Sequence, residues 1–248
     1  MKSILIKNAK VLYQNKYVKK DILIINDLVE KFENNIDYKA NRIIDAKGLA
    51  VLPGLIDIHT HLRQPGYEYK ETIKTGSQAA AKGGYTTICA MPNTSPAIDE
   101  VKKVLDLKKV IKADSSINVL VYSSITKERK HDTKLVDFNK LAKYVFAFSN
   151  DGNGIQDEQT MKEAMIEAKK VKKPIIAHCE IEALVNGGCI HDGKYLNKFN
   201  LKGISSASEY EQVKRDIELV KKINGDYYSV VGLPISQVKR VLKDLKII

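Results

Sequence analysis

The sequence predicts an α/β protein: parallel strands joined by crossover helices, preceded by a small β-sheet. Three observations carry this. From residue 51 onward, apolar β-type runs alternate with helical stretches, the pattern of successive strand–helix units. The first 50 residues instead show short β-type runs separated by asparagine-rich turns. The candidate chemical residues fall just after several different strands, where sites sit both in open doubly wound sheets and in closed barrels. A length of 248 residues suits a large domain with a small appendage. The expected division is 1–50 for the β-sheet domain and 51–248 for the α/β domain.

In the first part, strands are expected at 4–6, 10–13, 21–25 and 39–44. Turns fall at Asn15, Asn26-Asp27 and Asn34-Asn35, and the sheet is expected to be antiparallel. In the second part, the apolar run 49–58 reads as a buried strand, its barrel portion starting at Val51. A helix over 69–82 follows, stopped by Gly83-Gly84. Then come strand 85–91, helix 98–112, strand 117–123, a short helix over 133–142 and strand 144–148. A helix over 157–171, strand 174–177 and a glycine-rich loop over 186–193 lead to a helix over 205–223. Strand 227–231 and a final helix over 236–245 complete the alternation.

Hydrophobic residues make up 44% of the chain, enough for a real core, and the net charge is +11. Only five of the 41 basic residues are arginine. A nucleic-acid reader leans on arginine and aromatic platforms, so the charge reads as a solvated, lysine-rich surface. Three cysteines, Cys89, Cys179 and Cys189, make no disulfide framework and point to a reducing, cytoplasmic setting. No run approaches the ~18 apolar residues of a membrane span, and the N-terminus has no secretory pattern. A soluble protein is expected, with neither nucleic acid nor membrane as partner.

The chemistry concentrates at strand ends. His59 and His61, one residue apart at the end of the first barrel strand, share a side of the chain and converge. Asp151 follows the fourth strand in Ser149-Asn150-Asp151-Gly152, and His178 follows the fifth in His178-Cys179-Glu180. Three imidazoles and a carboxylate on strand ends suit Zn²⁺ with an open position. Such an ion polarises a carbonyl, which suggests hydrolysis of an amide-like bond. Asp151 can ligate, bridge or act as a base, and is the candidate catalytic residue. Arg63 and Asn93, beside the histidines and after the second strand, are placed to hold an anionic substrate. Cys179 points away from His178 and reads as core; His131 and His191 read as surface. No Gly-x-Gly-x-x-Gly or Gly-Lys-Ser/Thr loop supports nucleotide binding.

The stretch Gly54-Leu55-Ile56-Asp57-Ile58-His59-Thr60-His61-Leu62-Arg63-Gln64-Pro65-Gly66 resembles the signature of long-type (class I) bacterial dihydroorotases, in the amidohydrolase superfamily. Glu71-Thr72, Gly83-Gly84-Tyr85-Thr86-Thr87, Met91-Pro92-Asn93-Thr94, Phe148-Ser149-Asn150-Asp151-Gly152 and Ala177-His178-Cys179-Glu180 fit in the same order. The resemblance runs from residue 1 to about 225. It implies a (β/α) TIM-barrel with a small β-domain, and interconversion of N-carbamoyl-aspartate and dihydroorotate in de novo pyrimidine biosynthesis. It also implies that His59 and His61 hold one zinc, that Asp151 bridges to a second, and that His178 holds the second. Arg63 and Asn93 would bind the substrate carboxylate. Related hydantoinases bridge their metals with a modified lysine, so an aspartate at 151 points to the dihydroorotase branch.

Two departures temper that expectation. The family places a further zinc-ligand histidine at the sixth strand, where this chain reads Tyr227-Tyr228-Ser229-Val230-Val231-Gly232-Leu233-Pro234, and no histidine follows His191. The family also continues through two more barrel units and a catalytic aspartate. The expectation is therefore an incomplete barrel of about six of its eight units, one zinc rather than two, and impaired activity. The open barrel edges call for a second copy or a partner subunit. The alternative expectation is a non-catalytic dihydroorotase-like subunit that binds a partner such as aspartate carbamoyltransferase.

Overall fold

The β-runs of the first 50 residues pair into one sheet. The computed structural model describes residues 2–130 and 133–223, and the chain divides into two compact units, Met1–Gly54 and Leu55–Ile248. The first unit contains β1 (Ser3–Tyr13), β2 (Lys16–Ile25), β3 (Leu28–Glu33), β4 (Arg42–Asp45) and β5 (Ala50–Val51). The two expected runs at 4–6 and 10–13 are a single strand, bent by a bulge where Asn8 takes a φ of 59°. β1, β2 and β3 are antiparallel, but β4 and β5 both run parallel to β1. The wholly antiparallel sheet is thus corrected. The connection after β3 returns the chain to the starting end of β1, which parallel pairing requires, and the short 46–49 link then carries it on along the same edge of β1.

Both faces of this sheet are apolar. Leu5 packs opposite Leu23 with Ile36, and Ala9 packs with Ile22 and Ala46 on a second cluster. Asp21, buried between them, accepts the Asn8 N–H at 2.8 Å and the Ile36 N–H at 3.0 Å. The carboxylate therefore fastens the bulge and the 34–40 loop together. Val51, expected to open the first barrel strand, pairs with Val11 of β1 instead.

The second unit alternates strand and helix. β6 (Leu55–Thr60), α1 (Ile73–Lys82), β7 (Tyr85–Ala90), α2 (Val101–Asp114), β8 (Asn118–Ser123), α3 (Phe138–Leu141) and β9 (Ala147–Phe148) follow in order. Next come α4 (Glu158–Lys170), α5 (Glu182–Val185), β10 (Ile190–His191), α6 (Leu196–Phe199), β11 (Gly203–Ile204) and α7 (Ala207–Lys222). The sheet order is β6-β7-β8-β9, all parallel. The expected fifth strand extends the same sheet by a single bridge, Phe148 to Ile175, with the Ile176 N–H donating to the Phe148 carbonyl at 2.8 Å. Expected strand 227–231, helix 236–245 and His131 lie outside the described residues.

Period-two alternation sorts the strand residues onto two faces. Ile88, Val121, Phe148 and Ile175 join the helix-covered core with Val104, Leu141, Met161 and Leu219. Their neighbours Cys89, Tyr122, Ala147 and Ile176 form a separate cluster on the opposite face. Tyr122 stacks on Phe146 at 6.1 Å and its hydroxyl donates to the Ile58 carbonyl at 2.9 Å, tying β8 across to β6. Capping explains the helix starts. Thr72 and Thr75 form a capping box on α1, and Asp157 accepts the Thr160 N–H at 2.7 Å at the start of α4. α4 buries Met161, Ala164, Met165 and Ala168, the spacing of one helical face.

The run 49–58 is less buried than its composition suggests. Leu55 and Ile56 are more than half exposed. Among the described residues β6 has a strand neighbour on one side only, and an edge strand leaves apolar side chains uncovered. No helix among the described residues is long and apolar enough to cross a membrane.

Candidate metal and substrate site

All six expected ligand and substrate residues, Arg63 shortly after β6 among them, emerge at the C-terminal ends of the parallel segments. His59 is on β6 and His61 just past it; Asn93 follows β7, Asp151 follows β9, and His178 follows the 174–176 segment. The sheet therefore aims them into one region, and Asp151 is its centre. Its Oδ1 lies 3.1 Å from His59 Nε2 and 3.4 Å from His178 Nδ1. Its Oδ2 lies 3.7 Å from His61 Nδ1 and accepts the Asn93 amide at 2.8 Å. The Asn93 carbonyl is 3.1 Å from His61 Nδ1. The two histidine rings meet edge to face at 5.1 Å.

The electrostatics follow from this packing. Burial by itself would raise the Asp151 carboxyl. Hydrogen bonds from His178 and His59, and the charges of His59 and His61, outweigh it and hold Asp151 well below the usual carboxylate range. His178 is pushed up, first by its hydrogen bond to Asp151; its burial opposes this, and Glu180, 3.2 Å from Nε2, adds to it. Glu180 thus holds the outward nitrogen of His178 while the inward one faces Asp151. The Glu180 N–H is held in turn by Gln212 of α7 at 3.0 Å.

The ligand atoms of His59, His61 and Asp151 lie within 4.8 Å of one another, a group that can hold a metal ion. Two imidazole nitrogens and a carboxylate oxygen kept ionised are the donor chemistry such an ion takes. His178 approaches the same carboxylate, at the oxygen that His59 also faces. Asn150 turns away: its Oδ1 accepts the Ile125 and Thr126 N–H groups, and its amide donates to the Thr126 hydroxyl at 2.7 Å. An amide in that place is fully used in joining the loops after β8 and β9.

Gly154 fixes how closely these loops approach. A Cβ there would collide with the main-chain carbonyl of His178. Gly154→Ala is expected to cost about 1–3 kcal/mol, the usual range for forced overpacking, and to weaken metal binding by moving His178. Thermal unfolding and a metal titration on the same sample check both.

The cluster opens into a cavity of about 600 Å³ that Arg63, Tyr67, Lys70 and Arg129 also line. Tyr67, Lys70 and Arg129 were not singled out by spacing. Scarcity was the available signal for Arg129, one of five arginines among 41 basic residues. Cys179 is half-buried rather than core; burial, with Asp216 nearby, pushes its thiol up to about 11, so it stays a neutral, poor nucleophile. His191 is exposed, in β10.

Comparison with known proteins agrees with the geometry. The protein-family model described as Dihydro-orotase-like matches residues 48–234. Dihydroorotase of Staphylococcus epidermidis is 43% identical over 98% of this chain and 57% of the relative. That of Staphylococcus aureus is 44% identical over the same shares. The chain spans a little over half the length of these curated relatives. Among solved structures, an L-hydantoinase (dihydropyrimidinase) from Arthrobacter aurescens superposes with a TM-score of 0.75 at 21% identity, covering 91% of this chain and 52% of that one. A D-hydantoinase from a Thermus species gives 0.69 at 22% identity, covering 90% and 50%. These likenesses show the amidohydrolase barrel fold, of which the chain covers about half. With the family model matched over most of its length and the histidine–aspartate cluster at the strand ends, the chain belongs to the dihydroorotase-like family.

Proposed function

We propose that this chain is a cyclic amidohydrolase of the dihydroorotase type, interconverting N-carbamoyl-aspartate and dihydroorotate in pyrimidine synthesis with one bound zinc. The observation that carries this reading is the His59–His61–Asp151 group beside Asn93 and Arg63 in one cavity. His59, His61 and Asp151 would hold the ion, and His178 faces Asp151 Oδ1, the oxygen that His59 also approaches. When bound, zinc supplies Lewis acidity that polarises the reacting carbonyl.

The chain's own residues do the rest. Arg63 brings a guanidinium that can take a substrate carboxylate bidentately. Asn93 is committed through its amide to Asp151 and through its carbonyl to His61, so it couples substrate position to the ligand cluster. Asp151 keeps its charge at neutral pH and takes up a proton poorly, which suits a ligand. Because the stretch 227–234 has no histidine, a second ion would find Asp151 and His178 among the described site residues, and we propose one ion per chain and slowed turnover.

The test is zinc per chain on purified protein, with dihydroorotate hydrolysis measured on the same sample. Zinc near one per chain with turnover, both lost in His59→Ala, is the expected result. Wild-type protein without zinc and without turnover would sink the reading.

A further inference from the structure

Arg129 sits in a backbone that resists placing it there. It follows Glu128, and the two have φ values of 61° and 53°, the left-handed region that side chains rarely adopt. Two such residues in sequence are strained and persist only where neighbours over-determine them. Those neighbours are visible. Buried Asp99 accepts the Glu128 N–H at 2.9 Å and pairs with Lys103 at 2.6 Å, while Asn153 donates to the Arg129 carbonyl at 3.1 Å.

The constraint delivers a guanidinium to the wall of the same cavity as Arg63. Arg129 Nη1 donates to the main-chain carbonyl of Asp151 and passes beside Gly152. Its Nε is buried and has no hydrogen-bond partner among the described residues. A buried, unpaired N–H on a cation is costly. Burial lowers the Arg129 pKa, Asp151 and Tyr67 partly restore it, and facing Arg63 lowers it again. A brace for the Asp151 loop needs only Nη1. It does not explain two like charges facing one cavity.

We propose that Arg129 is a second anion-binding side chain of this site, donating to a carboxylate of the ligand that Arg63 also engages. The ligand class is a small di-anion, whose two charges match two guanidinium groups. Lys70, held over the rings of Tyr67 and Tyr69 at 5.6 and 5.5 Å, lines the same cavity and reinforces its positive field. The inference rests on the cavity being the site of a carboxylate substrate.

The test is calorimetric titration of the full chain with N-carbamoyl-L-aspartate and, separately, with malonate, each on zinc-loaded and chelator-treated protein. Arg129→Met is expected to weaken malonate at least tenfold in both metal states, and N-carbamoyl-aspartate likewise, with zinc per chain unchanged. Arg129→Lys keeps the charge but lacks the planar fork, so it should fall between, and it decides the matter if the methionine variant does not fold. Anion affinities within twofold of wild type in the variants would overturn the proposal and leave Arg129 as a loop brace. Malonate binding that depends on Arg129 without N-carbamoyl-aspartate binding would uphold Arg129 and overturn the substrate reading. A wild-type chain that takes up neither anion overturns both.

Discussion

Asp151→Ala should lose metal affinity by roughly 100-fold or more, because changing groups that merely support a ligand already costs 10–100-fold and Asp151 is a proposed ligand. Its carboxylate reaches His59, His61, His178 and Asn93 together. Removing it leaves Glu180, on the outward nitrogen of His178, as the carboxylate beside the imidazole cluster. A competition titration with a chromophoric chelator measures the loss.

The same substitution should flatten the pH dependence of the metal-free protein. Asp151 is held below its ordinary pKa, so its contribution to stability is present above the unfolded value of about 4 and fades as pH falls. His178 is raised, so its contribution is full below the unfolded value of about 6.5 and fades as pH climbs through the raised one. The cluster therefore stabilises the metal-free chain most between about pH 4 and 6.5. Metal binding runs the other way, strengthening as pH rises, since ligating imidazoles must be neutral. Urea midpoints at a series of pH values, wild type against Asp151→Ala, check the window. Parallel curves for the two proteins would refute it.

Phe148→Ala should be the most destabilising single core truncation near the site, at about 3–5 kcal/mol. Phe148 is fully buried, and its ring lies 4.1 Å from that of Phe138, centroid to centroid. It also holds the sheet together by backbone, its N–H donating to the Pro174 carbonyl and its carbonyl accepting from Ile176. A cavity there would loosen β9 against α3 and the 174–176 segment, which carry Asp151 and His178. A drop in melting temperature of roughly 10 °C is expected for a chain of this size, with weaker metal binding. Phe146→Ala, on the opposite face and only partly buried, should cost clearly less. Equal losses at the two positions would contradict the assignment of faces.

Local chemistry made much of this legible in advance. The alternation of β-type and helical runs predicted α1, α2, α4 and α7 and three of the parallel strands to within a few residues, because capping groups such as Asp157 and stops such as Gly83 act within one turn. Long-range pairing was not legible. Nothing in residues 39–51 marks β4 and β5 as partners of β1 in parallel register, since either orientation satisfies the same alternation. Nor does an apolar run declare how many neighbours its strand has, so Leu55 and Ile56 read as core and are exposed.

The residues of the site divide the same way. His59, His61, Asp151, His178, Arg63 and Asn93 stood out because each follows a strand, and a parallel sheet sends all its strand ends to one side. Sequence alone therefore settled which residue types gather and at which end of the sheet. The distances were decided by the tertiary structure: that Asp151 reaches three imidazoles and an amide at once, and that Asn150 spends its amide on the neighbouring loop. It also decided that Arg129, from a loop with no motif, turns into the cavity. Those outcomes depend on how loops from different strands pack over one another, and the energies that fix such packing come from residues far apart in the chain, which no local pattern encodes.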